Sequence, residues 1–376
     1  MLLWADGFDH YGDDESNLLD GVYADNRATL DSTNPATGTH CVLLSQTSEN
    51  VNDPRNFRKV LSSSTLKIGV GMRIFFPVLP STGSRAGILA LIPTDTANFA
   101  HLLFTLGVNG QIEIQRGPVL SGGSAMLNGT VLGSTDPIIV ANAWNHVEIQ
   151  ASIHDTEGWV RIAVNGVHKY EITGLDTKYN ATEVGSVAFT RPYITANPTH
   201  NWYMDDLYIY DFDGDPAEFT DWCPDVDGIT GVATNYLGEW QAMWLPPTAD
   251  TAEDDWVPST GADAFAMVDE VTPNDADYIY STTAGDLTEM ELTDIPEDIT
   301  VVRGLMVVGR MSKSDSGPAM IKYGMKSVAA VEDAPERPIT VEPTYWWDFF
   351  NTDPNSGARW TRASLNAAWV RLTRSA

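Results

Sequence analysis

The stretch "GWVRIAVNGVHKYEI" (158–172) limits what this chain can fold into more than any other. Val160, Ile162 and Val164 alternate with Arg161 and Ala163, the period-two pattern of a strand with one face on a core. The run ends at Asn165-Gly166, the dipeptide favoured where both central residues of a tight type I′ hairpin turn need positive φ. A second such signal, Asn109-Gly110, joins "LLFTLGV" to "QIEIQ". With "LKIGVGMRIFFPVL" (66–79), "AGILALIP" (86–93), "NHVEIQASI" (145–153), "EVGSVAF" (183–189) and "WYMDDLYIYD" (202–211), residues 1–213 contain about ten to twelve short strands and no helix beyond two turns. That pattern predicts a two-sheet sandwich.

Residues 214–235 are rich in Asp, Gly, Pro and Thr and read as a linker. A second β pattern occupies 236–376. Within it "ITVVRGLMVVGRM" is apolar on both faces, as expected of a central buried strand. Near the end, Thr361 is placed to N-cap a short helical segment "RASLNAA". The predicted fold class is therefore all-β, two tandem β-sandwich (jelly-roll) domains with a short C-terminal helical segment.

Composition excludes several function classes. The 376 residues carry a net charge of −29, which opposes binding to nucleic-acid phosphates or an anionic membrane surface. No apolar run reaches the length of a bilayer span, so membrane insertion is not expected. The first residues, "MLLWADGFDHYGDD", lack the basic and apolar regions of a secretory leader, and none is expected. Cys41 and Cys223 form no CxxC pair; buried free thiols and a single long-range disulfide both remain open. The charge is unevenly distributed. Residues 192–302 hold 25 of the 51 acids and no Lys or Arg, whereas Arg359, Arg362, Arg371 and Arg374 follow the last acid, Asp353. The alternatives are a solvated acidic face with a basic tail, or opposite charges that dock neighbouring subunits.

The candidate chemistry lies in "HNWYMDDLYIYDFDGD" (200–215). Strict alternation puts Asp205 with Leu207 and Ile209 on one face, and Asp206 with Tyr208 and Tyr210 on the other. The two leading acids then diverge, and no E-x-D-x-x-E strand of a sandwich glucanase is present, so no catalytic set is assigned. Asp211, Asp213 and Asp215 have D-x-D-x-D spacing that suits Ca²⁺, or else they form a hydrated turn where the strand leaves the sandwich. No cofactor other than that cation is indicated. The seven His, at 10, 40, 101, 146, 154, 168 and 200, show no H-x-x-x-H metal spacing. No nucleophile elbow, P-loop or dinucleotide fingerprint occurs. Tyr345, Trp346 and Trp347, in "YWWDFF", could stack on sugars, or belong to a core strand or subunit interface.

The series "GFDHY", "AWNHVEIQASI", "GWVRIAVNGV" and "MDDLYIYD" resembles a laminin-G-like, concanavalin A-type jelly roll over about 210 residues. The resemblance implies an early Phe-Asp strand, at Phe8-Asp9, paired with a late Asp-Asp strand. It places Trp144 and His146 at a strand start and gives Asp205 and Asp206 mainly structural roles. The chain as a whole resembles bacteriophage virion proteins that join such a sandwich to a second one. The matching stretches are Ala242 to Pro246, Trp256 to Gly261, Val268 to Glu270, Tyr278 to Ser281, Val302 to Ser314 and Asp353 to Ala367. The glycine that closes the family's last motif is absent, since Trp369 and Val370 follow, so a displaced last strand is expected. This resemblance implies a virion structural protein assembled in the host cytoplasm. It would be a tail- or fibre-associated homo-oligomer, a trimer being favoured, contacting other virion proteins and host-surface glycan. The alternatives are a capsid decoration (cementing) protein and a free carbohydrate-binding protein or glycan hydrolase.

Overall fold

The computed structural model describes residues 2–11, 22–24, 28–44, 55–80, 85–95, 99–118, 129–190, 192–193, 201–212, 236–271, 274–299 and 301–375. The chain is all-β and divides into two compact units, residues 1–9 with 22–242, and residues 10–21 with 243–376. Tyr236–Ala242, which the sequence pattern puts at the start of the second domain, belongs by its contacts to the first unit. The segment 214–235, read as a linker, and Cys223 lie outside the described residues.

In the first unit, an eight-stranded sheet holds β1 (Leu2–Asp6), β2 (Thr29–Asp31), β3 (Cys41–Leu44), β5 (Lys67–Phe75), β10 (Trp144–Ser152), β11 (Gly158–Val164), β12 (Val167–Leu175) and β15 (Trp202–Asp211). Its order is β12-β11-β10-β5-β15-β3-β2, with β1 also on β15. A seven-stranded sheet holds β4 (Arg55–Thr65), β6 (Arg85–Pro93), β7 (Leu102–Leu106), β8 (Ile112–Arg116), β9 (Thr130–Ser134), β13 (Val184–Thr190) and β14 (Pro192–Tyr193). Alternate residues of the central strands, Val70, Met72, Ile74, Val147, Ile149 and Ile209, are fully buried, as are Leu89, Leu91, Phe104 and Phe189 of the other sheet. The Trp202 indole ties the sheets together by donating to the Thr190 carbonyl at 3.2 Å.

The predicted hairpin is present. Asn165 and Gly166 have φ of 51° and 71° between β11 and β12. Asn165 also exchanges hydrogen bonds with β10, its side chain accepting from the His146 amide at 2.8 Å. The second signal gives a looser link. β7 ends at Leu106 and β8 starts at Ile112, and only Gly110 of the pair has positive φ, 83°. An early strand does pair with the late one, antiparallel β1 on β15 with Ala5 opposite Tyr208, but Phe8-Asp9 of the motif lie beyond it, Asp9 opening a 3-10 turn.

In the second unit, a six-stranded sheet comprises β16 (Pro247–Asp254), β19 (Leu287–Leu292), β21 (Met320–Ser327), β22 (Ala330–Asp333), β23 (Arg337–Pro338) and β25 (Ala368–Arg374). The closing strand β25 is central, between β19 and β21. Two two-stranded sheets accompany it, β17 (Val257–Pro258) with β18 (Ile279–Tyr280), and β20 (Leu305–Met311) with β24 (Thr344–Phe350). A core of Trp256, Ile321, Tyr323, Met325, Phe350 and Trp360 holds them together, with Leu305, Val307 and Trp346 packed against it. The stretch read as a central buried strand is therefore corrected. Among the described residues β20 pairs only with β24, and each of its residues is half-buried. Its apolarity reflects one face on the core and a second face incompletely covered. The helical segment is one turn, α1 (Arg362–Leu365), capped as expected by Thr361, whose hydroxyl accepts from the Ser364 amide at 3.0 Å.

Candidate functional site

The outer face of the first unit's eight-stranded sheet, turned away from its core, carries buried polar side chains. Register places them in rows. Tyr208 of β15 lies opposite Gly71 of β5, which lies opposite Glu148 of β10; Tyr210, Gly69 and Gln150 form the next row. The two glycines are needed at these positions. A Cβ on Gly71 would stand 1.9 Å from Tyr208 Cζ, and one on Gly69 would stand 2.0 Å from Tyr210 Cζ. With only hydrogen there, both phenol rings cross the central strand and reach β10.

Glu148 is fully buried and receives three donors, with a further hydroxyl close by. Tyr210 Oη donates to Oε1 in a very short bond, and Tyr208 Oη lies 3.1 Å from Oε2. The backbone amides of Leu237 and Gly238 donate to Oε1 and Oε2 at 2.8 and 2.9 Å. Burial raises the Glu148 pKa, and these hydrogen bonds oppose the rise. The amide donors come from the segment Tyr236–Ala242, which lies as a strap over the face. Further contacts hold it there. Tyr208 Oη donates to the Gly238 carbonyl at 2.8 Å, and the Trp240 ring packs 4.7 Å from the Tyr208 ring. The Ala242 amide donates to Asp206 Oδ1 at 3.0 Å, and Tyr236 Oη meets His168 Nδ1 at 2.8 Å.

Counting protons fixes the remaining roles. Tyr208 has one proton, and the Gly238 carbonyl, which can only accept, takes it. His146 Nε2, 3.1 Å from the same hydroxyl, is then the donor. Burial, helped by Arg73, lowers the His146 pKa to about 3, so the ring is neutral and carries its proton on Nε2. Its Nδ1 is buried without a hydrogen-bond partner.

The Asp pair differs from its expected geometry. Asp206 has φ of 49°, and the register shifts between Asp205 and Tyr208. This bulge reverses the phase, so Met204, Leu207 and Ile209 face the core while Asp205, Tyr208 and Tyr210 face outward. The two acids converge on one loop instead of diverging. Asp205 Oδ2 accepts from the amides of Ala36 and Thr37 at 2.8 and 3.1 Å, and Asp206 Oδ1 accepts from the Thr37 hydroxyl at 2.9 Å. Asp9, of the "GFDHY" motif, holds the same loop through the amides of Thr39 and His40 at 2.6 and 2.9 Å. Burial, then Asp206, pushes the Asp205 carboxyl up to about 8; burial raises Asp206 to about 6 against the pull of Arg73, 2.9 Å away. These acids therefore clamp a loop, the structural role the resemblance implied.

The other sequence candidates are dispersed. Asp211 is half-buried at the end of β15, and Asp213 and Asp215 lie outside the described residues. Among the described residues no three His, Cys, Asp or Glu side chains are grouped to hold a metal. Tyr345 is buried, its ring against Tyr11 and beneath Arg310, so it presents no stacking face to a sugar. Trp346 packs on the second unit's core with Arg337 over its ring, and Trp347 is half-buried on the opposite face of β24. Arg371 pairs within its own unit with Glu289 at 3.4 Å and Asp333 at 3.5 Å. Arg362 donates to the Ile295 carbonyl at 3.1 Å and Arg374 to that of Ser281, while Arg359 bridges to Thr352 through the backbone. Cys41 is a buried free thiol, its pKa raised by burial.

Sequence reasoning missed Glu148, Gln150, the two glycines and the strap. The available signal was the three matched alternations His-x-Glu-x-Gln, Gly-x-Gly and Tyr-x-Tyr on strands that become neighbours.

No family model matches the chain, and no curated protein matches it. Solved structures show a partial likeness to it. An endo-β-1,4-glucuronan lyase from the fungus Trichoderma reesei is 13% identical with a TM-score of 0.36, over 52% of this chain and 92% of that one. The receptor-binding domain of botulinum neurotoxin type G is 12% identical with a TM-score of 0.33, over 88% and 81%. Domain 4 of AbnA, an extracellular arabinanase from Geobacillus stearothermophilus in complex with arabinotriose, is 17% identical with a TM-score of 0.32, over 58% and 97%. At these identities and TM-scores the likenesses assign no role to the chain.

Proposed function

We propose that the chain is a non-catalytic structural component of a bacteriophage particle, a tail- or fibre-associated homo-oligomeric subunit whose first sandwich is available for host-surface glycan. The observation that carries the non-catalytic reading is closure of the polar face. Glu148 and Tyr208, the groups best suited to proton transfer, have their hydrogen-bonding atoms engaged by the strap and by neighbouring strands. A substrate cannot meet the Glu148 carboxylate, which is 0% exposed. Asp205 and Asp206 are occupied in clamping a loop. The virion assignment is supported by the motifs shared with phage particle proteins from Ala242 to Ala367.

Imaging purified particles with an antibody to this chain tests the assignment. Label on the tail is the expected result; label on the shell favours the decoration reading, and absence from the particle refutes both. A glycan array with Ca²⁺ and with chelator tests the sugar contact. Release of reducing sugar from bacterial polysaccharide, lost in Glu148→Gln, would overturn the non-catalytic reading.

A further inference from the structure

The strap is held by a small portable set of groups. The anchors are the Leu237 and Gly238 amides on Glu148, the Gly238 carbonyl on Tyr208, the Trp240 ring on Tyr208, the Ala242 amide on Asp206 and the Tyr236 phenol on His168. Glu239 adds a carboxylate 3.9 Å from the Arg73 guanidinium. All of these groups travel within Tyr236–Ala242. The face reads them as it would an extended peptide: two adjacent N–H groups by a carboxylate, a carbonyl by a phenol, an aromatic plane by a tyrosine ring. Residues 212–235 connect the strap to β15, and a segment of that length reaches at most about 80 Å at ~3.3 Å per residue.

We infer that this face of the first sandwich is a docking site for the strap of a second copy of this chain. The occupant that fits is already known from the molecule, because the strap satisfies Glu148, Tyr208 and Asp206 together. Residue 243, which opens the main segment of the second unit, follows the strap directly. Docking in trans therefore ties the second unit of one copy to the first unit of another, through a head-to-tail contact that can close into a ring. In dilute solution a copy's own strap has an effective concentration on the order of mM and wins. Copies gathered at that local density exchange straps. The net charge of −29 repels separate copies, so salt favours the exchange. This inference is independent of whether any glycan binds.

Two full-chain variants with complementary defects test it. Gly238→Pro breaks the strap, since proline has no N–H for Glu148 and cannot adopt the φ of 87° found there. Glu148→Ala breaks the face and leaves the strap intact. Trp240→Ala and Glu148→Gln replace them if either fails to fold. Native mass spectrometry of the isotope-labelled pair is expected to show a 1:1 heterodimer in the mixture that neither variant forms with itself, increasing with salt. A fluorescent peptide of residues 236–242 is expected to bind the Gly238→Pro chain at least tenfold more tightly than wild type, whose face is filled. A mixture that gives no heterodimer overturns the proposal, even if the peptide binds. Binding of an acidic oligosaccharide to the Gly238→Pro chain in place of the peptide overturns it in favour of a sugar site.

Discussion

Gly71→Ala separates two opposed forces. If strand propensity governed the site, alanine would stabilise by about 0.5–1 kcal/mol, because glycine loses the most backbone freedom on folding. The geometry predicts the opposite sign. The new Cβ would stand 1.9 Å from Tyr208 Cζ and 2.2 Å from its Oη. Reaching ordinary contact requires the ring to move by more than an ångström. That movement takes Oη beyond hydrogen-bond reach of the Gly238 carbonyl, now 2.8 Å away, and of Glu148 Oε2, now 3.1 Å away. Overpacking costs roughly 1–3 kcal/mol. A buried carbonyl left without its donor costs about 1–3 kcal/mol more. Net destabilisation of about 2–5 kcal/mol should lower the urea midpoint of the first unit's transition by about 1–2 M, at ~2–3 kcal/mol per M. Hydrogen exchange at the Leu237 and Gly238 amides should accelerate in parallel. A double-mutant cycle with Tyr208→Ala gives the decisive reading, because removing the ring removes the clash. A coupling near 2 kcal/mol is expected. An unchanged or raised midpoint, or strict additivity in the cycle, would refute the account of why glycine is there.

Three further outcomes follow from the same geometry. Asp205 is held at about 8 in the folded chain against 3.8 when free, so folding retains a proton that the unfolded chain releases, and stability falls as pH rises from about 4 to about 8. Asp205→Asn should flatten that part of the melting-temperature profile relative to wild type. Lys59, buried over the Trp4 ring at 3.2 Å and donating to the Val22 carbonyl, is lowered by burial from 10.5 to about 7. Its folded form sheds a proton that the unfolded chain keeps, so stability rises with pH between those values, and Lys59→Met should abolish that rise. Asn165→Ala removes both the residue suited to φ of 51° and the acceptor of the His146 amide, and should cost about 1–3 kcal/mol in chemical denaturation.

Much of the framework was legible because it depends on local rules. Alternation along β11 and the Asn-Gly turn require no knowledge of distant residues, and the Thr361 cap is settled within four positions. Three features were not legible, and each has a non-local cause. The bulge at Asp206 is a single positive-φ residue inside an otherwise regular strand, and it inverts every assignment of face beyond it. The run at β20 is apolar in both phases, but burial depends on how many strands flank it, and among the described residues only β24 does. The strap carries a Trp and Tyr pattern like that of the following strands. Its attachment to the first unit rests on Glu148, about ninety positions earlier.

The strap also shows why the polar phase of a half-buried strand is a poor guide to solvent. His146, Glu148 and Gln150 alternate with Val147, Ile149 and Ala151, the pattern of a sheet with one face in water. Yet all six are at least 98% buried. A carboxylate in that position is tolerable only if its donors are supplied, and β10 itself cannot supply them, since its backbone amides are committed to β5 and β11. The sequence meets the need in two ways at once. Glycine at two successive outward positions of β5, Gly69 and Gly71, lets the tyrosines of β15 lie across it, and a distant segment contributes two consecutive amides. Neither device has value without the other: phenols alone would leave Glu148 open to water, and amides alone would leave the Gly238 carbonyl without a donor. Such interdependence predicts that Glu148, Tyr208 and Gly238 act as one unit, so substitutions at any two should cost markedly less than the sum of the separate losses.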